Sequence, residues 1–462
     1  MKVRQPEIMT DSQSKPQMDE GLRVEGDINL TAHRSAWNRT GINEETRRLL
    51  AEDAACFLHQ AMSTPCLNAL RKAEGSWIED VEGRRYLDFH GNNVHQVGFG
   101  HPAVISAIKG QLDQLSFCTR RYANEPAVRF AQALVRCAPG DLNRVLFAPG
   151  GTAAIGMALK LARAATGRFK TVSMWDSFHG ASLDAISIGG ESAFRKDAGP
   201  LLPGCEHTPP PDPSHCPFRC GTSCNLACAD YIEYVLEREG DIAAVIGETV
   251  RNVPIVPPPD YWKRIRAACD KHGALLILDE IPIALGRTGK FFAFEHFEVV
   301  PDIVVVGKGL GGGVFPLAAM IAREGLNIAA DRSLGHYTHE KNPVACAAGL
   351  ATIQVIKEGK LVERAASLGR ATRDDLARRL SKYPAVREVR GLGFLLGVEI
   401  GSSQGSSSDL AERIMYACLG RGLSFKVSKG NVLTFAPPLN VTEQELDQAW
   451  KIVEAAVAES SR

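Results

Sequence analysis

The sequence predicts an α/β fold, with a mostly parallel sheet flanked by helices in a large domain and a small α+β domain beside it. Three observations predict it. From about residue 125 to 335, helical stretches alternate with short apolar runs, a pattern that builds a parallel sheet covered on both faces. Two of those runs end in reactive groups: 274–278 leads into Asp279 and Glu280, and 303–306 leads through Gly307 into Lys308 and a string of glycines. Beyond about residue 340, helices precede an alternating stretch at 386–400, the mark of a separate α+β unit.

Composition bounds what such a protein does. The 462 residues are 45% hydrophobic and 23% charged, enough for a large core and more than one domain. Lys+Arg and Asp+Glu both number 53, so nothing points to nucleic acid or to a membrane surface. No apolar run approaches the roughly 18 residues of a membrane span, and the polar N-terminus lacks an apolar signal core. Twelve cysteines in so long a chain are expected to stay reduced in a cytoplasm.

Taken in order, residues 1–40 read as an N-terminal arm, polar to about residue 35. Residues 41–95 read as the first part of the small domain, 96–340 as the large domain and 341–462 as the rest of the small one. A helix is expected over 44–62. The stretch 76–89 alternates apolar and polar residues around Val81-Glu82-Gly83 and reads as a hairpin. Next, 90–102 carries His90, Asn92, Asn93 and His95. A strand does not hold adjacent asparagines unless they find partners, so a loop at the lip of a site is expected there. A helix over 102–115 follows. Strands are expected at 145–147, 171–174, 243–246, 275–278 and 303–306. Active groups collect at the carboxyl ends of parallel strands, where Glu248, Asp279 and Lys308 stand. Gly150-Gly151-Thr152 precedes a helix over 153–164; its open N–H groups suit a phosphate, and an ordinary helix cap is the plainer alternative. A Gly/Ser-rich surface loop is expected at 401–408.

Lys308 stands at the mouth of a buried strand. Burial disfavours an ammonium there and favours a nucleophilic amine, as a Schiff-base lysine requires. An aspartate ending the neighbouring run can keep a pyridine nitrogen protonated, which makes pyridoxal phosphate (PLP) an electron sink. Further markers surround this pair in order: Phe147-Ala148-Pro149-Gly150-Gly151-Thr152, Ser177-Phe178-His179-Gly180, Ile246-Gly247-Glu248, Gly286-Arg287-Thr288-Gly289 and Asn342-Pro343-Val344. With them the chain from about residue 50 to its end resembles the class III aminotransferases, fold-type I PLP enzymes. The resemblance implies Lys308 as the Schiff-base lysine and Asp279 at the pyridine nitrogen. It puts Gly151 and Thr152 on the phosphate, Phe178 stacked on the ring with His179 beside it, Glu248 near the ring hydroxyl and Ile281 on the opposite face. Thr338 matches a threonine that reaches the phosphate from a partner subunit. A homodimer with shared active sites is therefore implied, with an arm that crosses to the partner.

The chain departs from a transaminase at four places. Ile281-Pro282 replaces the family's Val-Gln, and Ile155-Gly156 replaces Asn-Glu after the phosphate loop. Thr434 stands where members acting on α-amino acids carry a carboxylate-binding arginine, and Thr338-His339-Glu340-Lys341 alters the segment before Asn342-Pro343. Asn92-Asn93-Val94-His95 and Arg120-Arg121-Tyr122 instead resemble the phospholyase branch of the family. Arg121, Asn93 and Lys426 are then the candidate substrate residues, Arg121 offering a planar fork to a phosphate or phosphonate; a surface ion pair is the other reading of Arg121, and solvated charge that of Lys426. The resemblance implies a lyase that releases ammonia from a phosphonate- or phosphate-bearing 2-aminoethyl substrate, as in phosphonate catabolism. Loss of hydroxide to give phosphonoacetaldehyde is the first expectation. Loss of phosphate from ethanolamine phosphate is the next, and transamination of an ω-amine to pyruvate or 2-oxoglutarate the third. A PLP-binding regulator lacks support, because no helix-turn-helix or basic patch is evident.

One cluster stands apart. Cys205, Cys216, Cys220, Cys224 and Cys228 crowd a Pro- and His-rich stretch. The spacing matches neither usual zinc nor iron–sulfur patterns. Reduced thiols packing an irregular loop are expected, with no metal, and a metal clip is the alternative.

Overall fold

The structure, a computed structural model, describes residues 31–60, 66–220, 223–402 and 405–460. Its strands are β1 (Leu70–Glu74), β2 (Trp77–Asp80), β3 (Arg85–Asp88), β4 (Leu142–Ala148), β5 (Lys170–Met174), β6 (Cys205–Thr208), β7 (Ile242–Glu248), β8 (Leu275–Asp279), β9 (Ile303–Val306), β10 (Ala318–Arg323), β11 (Val386–Leu392), β12 (Leu395–Ile400), β13 (Leu423–Ser424), β14 (Lys426–Ser428) and β15 (Val432–Phe435). Among the described residues they form three sheets, ordered β1-β2-β3-β13, β4-β10-β9-β8-β7-β5-β6 and β11-β12-β15-β14.

The seven-stranded sheet positions the chemistry. Strands β9, β8, β7, β5 and β6 pair in parallel, and β10 inserts antiparallel between β4 and β9. The central strands β7, β8 and β9 are almost wholly apolar because both faces are covered. Side chains alternate between two cores. Ile246, Ile277, Ile303 and Val305 face the helix Gly151–Thr166, through Ala154, Ile155, Met157 and Ala158. Val245, Leu276, Leu278, Val304 and Val306 face the other layer, which includes Trp262 and Ile265 of the helix Tyr261–His272. Burying each such Val, Leu or Ile contributes about 1.5–3 kcal/mol, so the carboxyl ends that carry Glu248, Asp279 and Lys308 rest on a stiff base.

The two ends of the chain meet in one sheet. β13 pairs in parallel with β3, Leu423 against Leu87, and β2 and β3 form the expected hairpin. Most of the arm assigned to 1–40 lies outside the described residues. Its last part is the helix Ala32–Thr40, whose Trp37 packs with Tyr86 and Leu419.

Several boundaries differ from expectation. The helix expected over 44–62 ends at Cys56, because Phe57 turns to extended backbone; residues 61–65 lie outside the described residues. The helix expected over 153–164 runs Gly151–Thr166, from an extended Gly150 to a left-handed Gly167 at φ +67°, a conformation glycine adopts without cost. The loop expected over 401–408 is shorter. Ser406 accepts from the Asp409 N–H and starts the helix Ser407–Leu419, and residues 403–404 lie outside the described residues.

Candidate active site

A cavity of about 430 Å³ opens at the carboxyl ends of the central strands. Its floor is Asp279, Glu248 and Lys308, each at or just beyond a strand end where the expectation put it. Asp279 is 2% exposed. One of its carboxylate oxygens, Oδ1, accepts from the Ile281 N–H at 3.0 Å, and Oδ2 meets His179 Nδ1 at 2.8 Å. The other ring nitrogen, His179 Nε2, is buried and has no partner among the described residues. Glu248 Oε1 accepts from the Phe178 N–H at 3.0 Å and lies 3.5 Å from Arg251 Nε. That holds the loop 177–180 over the cavity, and Phe178 is left 39% exposed there.

The wall opposite is built by close backbone approach. The helix Gly151–Thr166 begins at the cavity, and no side chain caps it, so its first N–H groups face a ligand. A Cβ on Gly151 would lie 2.7 Å from Ile281 Cδ1, and one on Gly180, at φ +130°, would lie 2.1 Å from Thr152 Oγ1. Thr152 Oγ1 also accepts from the Ala181 N–H at 3.3 Å. Glycine is required at Gly180, and at Gly151 a Cβ would displace the end of the Ile281 side chain, which leaves a narrow cradle of N–H and hydroxyl groups.

The lip at 90–93 is more unusual than its composition suggested. Gly91, Asn92 and Asn93 all take positive φ, at +47°, +45° and +56°. A left-handed residue other than glycine costs roughly 1–2 kcal/mol, and asparagine tolerates it best. The strained turn is pinned from behind. Asp88 accepts from the N–H groups of His90 and Gly91 at 3.0 Å each, and His95 Nε2 lies 3.0 Å from the Asp88 carbonyl. His90 and Asn92 line the cavity. Burial, followed by the positive charges of Lys426 and Lys308, pushes the His90 ring down to about 3, which favours the neutral imidazole. Burial and the Arg287 cation likewise push His95 down to about 3.

Of the candidate residues, Gly151, Thr152, Phe178, His179, Glu248, Asp279, Ile281, Lys308 and Lys426 are brought together around this one cavity. Asn93 is not a lining residue; it is buried behind the lip, and its Nδ2 donates to Asn252 Oδ1 at 3.0 Å. Arg121 and Thr338 are exposed and do not line the cavity of their own chain. Neighbouring Arg120 takes the ion pair, with Glu340 at 3.7 Å. His90, Asn92, Arg251, Asn252 and Ser428 line the cavity without having been singled out as site residues. The rule that groups collect past strand ends would have found Arg251 and Asn252, which follow β7. Thr434 is buried in β15 and does not reach the cavity; directly opposite it in β14 stands Lys426, which does.

Residues 59–457 match the family model of the class-III aminotransferases. The chain belongs to that family. Class III aminotransferases use PLP, and the residues here fit it: an uncapped helix start and tight cradle for a phosphate, a buried Asp279–His179 pair for a ring nitrogen, an exposed aromatic face and a lysine. A class III relative, the (R)-1-hydroxy-2-aminoethylphosphonate ammonia-lyase of Vibrio splendidus (strain 12B01), is 49% identical over 456 residues, 95% of each chain. The acetylornithine aminotransferase of Methanopyrus kandleri is 39% identical, covering 81% of this chain and 90% of its own. Among solved structures, an (S)-enantioselective omega-transaminase from Thermomicrobium roseum superimposes with a TM-score of 0.83 at 30% identity, over 90% of this chain and 99% of that one.

Proposed function

We propose that this protein is a PLP-dependent ammonia-lyase that converts (R)-1-hydroxy-2-aminoethylphosphonate to phosphonoacetaldehyde and ammonia. The observation that carries the reading is the near full-length 49% identity to the Vibrio splendidus enzyme of that name. The cavity's lining supports it, since Lys426 is part of it, and Thr434, opposite Lys426 in the sheet, stands in place of a carboxylate-binding arginine.

PLP, when bound, supplies the electron sink for a carbanion beside the amine. Lys308 would anchor its aldehyde carbon, Asp279 its ring nitrogen, Gly151 and Thr152 its phosphate, and Phe178 and Ile281 its two faces. His179 holds Asp279 in place, and Glu248 holds the loop of Phe178. The Lys308 amine takes a proton from the amine-bearing carbon of the substrate. The bond from the adjacent carbon to its hydroxyl then breaks, and the proton on Lys308 is handed to the departing hydroxide as water. The released enamine becomes an imine and hydrolyses to aldehyde and ammonia. Lys426 is the phosphonate's cation, and neutral His90 and Asn92 are hydrogen-bonding neighbours that add no charge. Arg121 and Thr338 enter only from a partner subunit, in a homodimer whose two sites are shared. The exposed Phe57 (63%) and Leu58 (92%) favour such a contact. Residues 41–95 and 341–462 act as one small domain around the large one, and the enzyme works in the cytoplasm.

The test is ammonia release by purified, PLP-loaded protein given (R)-1-hydroxy-2-aminoethylphosphonate and no keto acid. Many turnovers with phosphonoacetaldehyde as product uphold the proposal. Turnover only when pyruvate and an ω-amine are supplied returns the protein to the aminotransferases, the reading that the Thermomicrobium structure favours. Phosphate release from ethanolamine phosphate would make it a phospholyase.

A further inference from the structure

The cysteine-rich segment has no part in the cavity. Among the described residues, no three metal-ligating side chains gather closely enough to hold an ion. Two of its thiols do meet: Cys216 Sγ and Cys220 Sγ lie 3.5 Å apart, and both are partly exposed. The turn between them is tight, with the Arg219 N–H donating to the Cys216 carbonyl at 2.9 Å and Arg219 at φ +55°.

This turn wraps N–H groups around one sulfur. Partial burial opposes the Cys216 thiolate, but the N–H of Cys220, the Cys220 thiol and the N–H groups of Phe218 and Arg219 outweigh it and set the thiol below its ordinary value. The hydrogen bond to Cys216 raises Cys220 in turn. One member is thus the nucleophile and the other holds the proton. Burial pushes other thiols the opposite way, Cys228 to about 11 and Cys269, Cys346 and Cys418 to about 12. The segment is also fixed nearby. Asp212 Oδ2 meets Lys429 Nζ at 3.1 Å, Ser214 Oγ donates to Glu388 Oε2 at 2.9 Å, and His215 Nε2 lies 3.1 Å from Glu399 Oε1. Those anchors hold Cys216 in place while Cys220 closes on it.

We propose that Cys216 and Cys220 are a modification site, a dithiol that hydrogen peroxide closes into an intrachain disulfide. The Cys216 thiolate attacks one peroxide oxygen; the O–O bond breaks and, with one proton taken up, leaves a sulfenic acid and water. The Cys220 sulfur then attacks the Cys216 sulfur, a second water leaves, and the S–S bond forms. Two thiols are oxidised and one peroxide is reduced to two waters. The sulfurs must close from 3.5 Å to a bond of about 2.05 Å, a movement within one turn.

The test treats the reduced, PLP-loaded full chain with one equivalent of hydrogen peroxide, alkylates the remaining thiols and maps the peptides by mass. The expected result is a 216–220 crosslink that appears before oxidation at any other cysteine and is reversed by dithiothreitol. In Cys220→Ser the same dose should leave a sulfenic acid at Cys216 that dimedone traps, and Cys216→Ser should form neither product. Alkylation of both residues while other cysteines are oxidised would overturn the proposal. So would a crosslink from Cys216 to Cys224 or Cys228, or one zinc ion per chain that protects all four thiols.

Discussion

On the proposed reading, two lysines divide the labour at the level of single residues, and their loss should read differently. Lys308 is part of the floor with Asp279, and Lys426, from the C-terminal sheet, lines the same cavity close enough to act on His90. Lys308→Ala should cut ammonia release on the order of 10⁴-fold while circular dichroism stays unchanged; initial rates on purified variant check it. Lys426→Ala should instead raise KM for the phosphonate substrate by about 10- to 100-fold, the equivalent of a charge-assisted hydrogen bond of roughly 1.5–3 kcal/mol, with kcat moved far less. Equal losses in kcat and KM from that variant would remove Lys426 from substrate binding. These residues were legible in the sequence for different reasons. Lys308 and Asp279 close apolar runs, where strand ends put chemistry. The place of Asn93 behind the lip was not legible, because which of two adjacent asparagines lines the cavity depends on a left-handed turn that composition does not announce. Asn92 points in, and Asn93 bonds back to Asn252.

Elements, rather than residues, set the cradle. The helix Gly151–Thr166 and the loop at 177–181 touch where a Cβ on Gly180 would fall 2.1 Å from Thr152 Oγ1. Gly180→Ala should therefore push the loop off the helix start. Strained backbone of this kind costs about 1–3 kcal/mol, so the thermal midpoint should fall and PLP should dissociate more readily; absorbance of the bound cofactor during dialysis measures the second effect. An unchanged retention would mean the contact yields elsewhere. The core strands β7, β8 and β9 were readable because burial on both faces demands continuous apolar runs. Helix ends were less so. Cys56 ends a helix whose propensity continues, since what stops it is the extended path of Phe57 and not a local breaker. The short strands β13 and β14 were not foreseen; each exists through its partner, β3 or β15, from distant sequence.

At the scale of the whole molecule, the lip couples folding to pH. His95 is packed beneath Gly91, lies with its ring tilted 4.8 Å from that of Phe99 and is held down at about 3 by burial and by Arg287. In the unfolded chain its ring protonates near the ordinary 6.5. As pH drops from 6.5 toward 3, the unfolded chain takes up a proton that the folded one refuses, so this group's share of stability is present at neutral pH and is lost in acid. His95→Asn removes that proton along with some packing. The variant should be less stable than the parent at pH 7, and the gap in thermal midpoint should narrow by pH 4.5; a constant gap would show that His95 does not titrate in this way. The cavity itself draws on distant parts of the chain, among them His90 and Asn92, Thr152 and Phe178, Asp279 and Lys308, and Lys426 and Ser428. In the proposed roles, bond-breaking and recognition are thus encoded separately. Exchange of a few codons at 424–430 can change which molecule is accepted while the breaking of its bonds is left alone, and a lineage built this way can drift between substrates without passing through a dead enzyme.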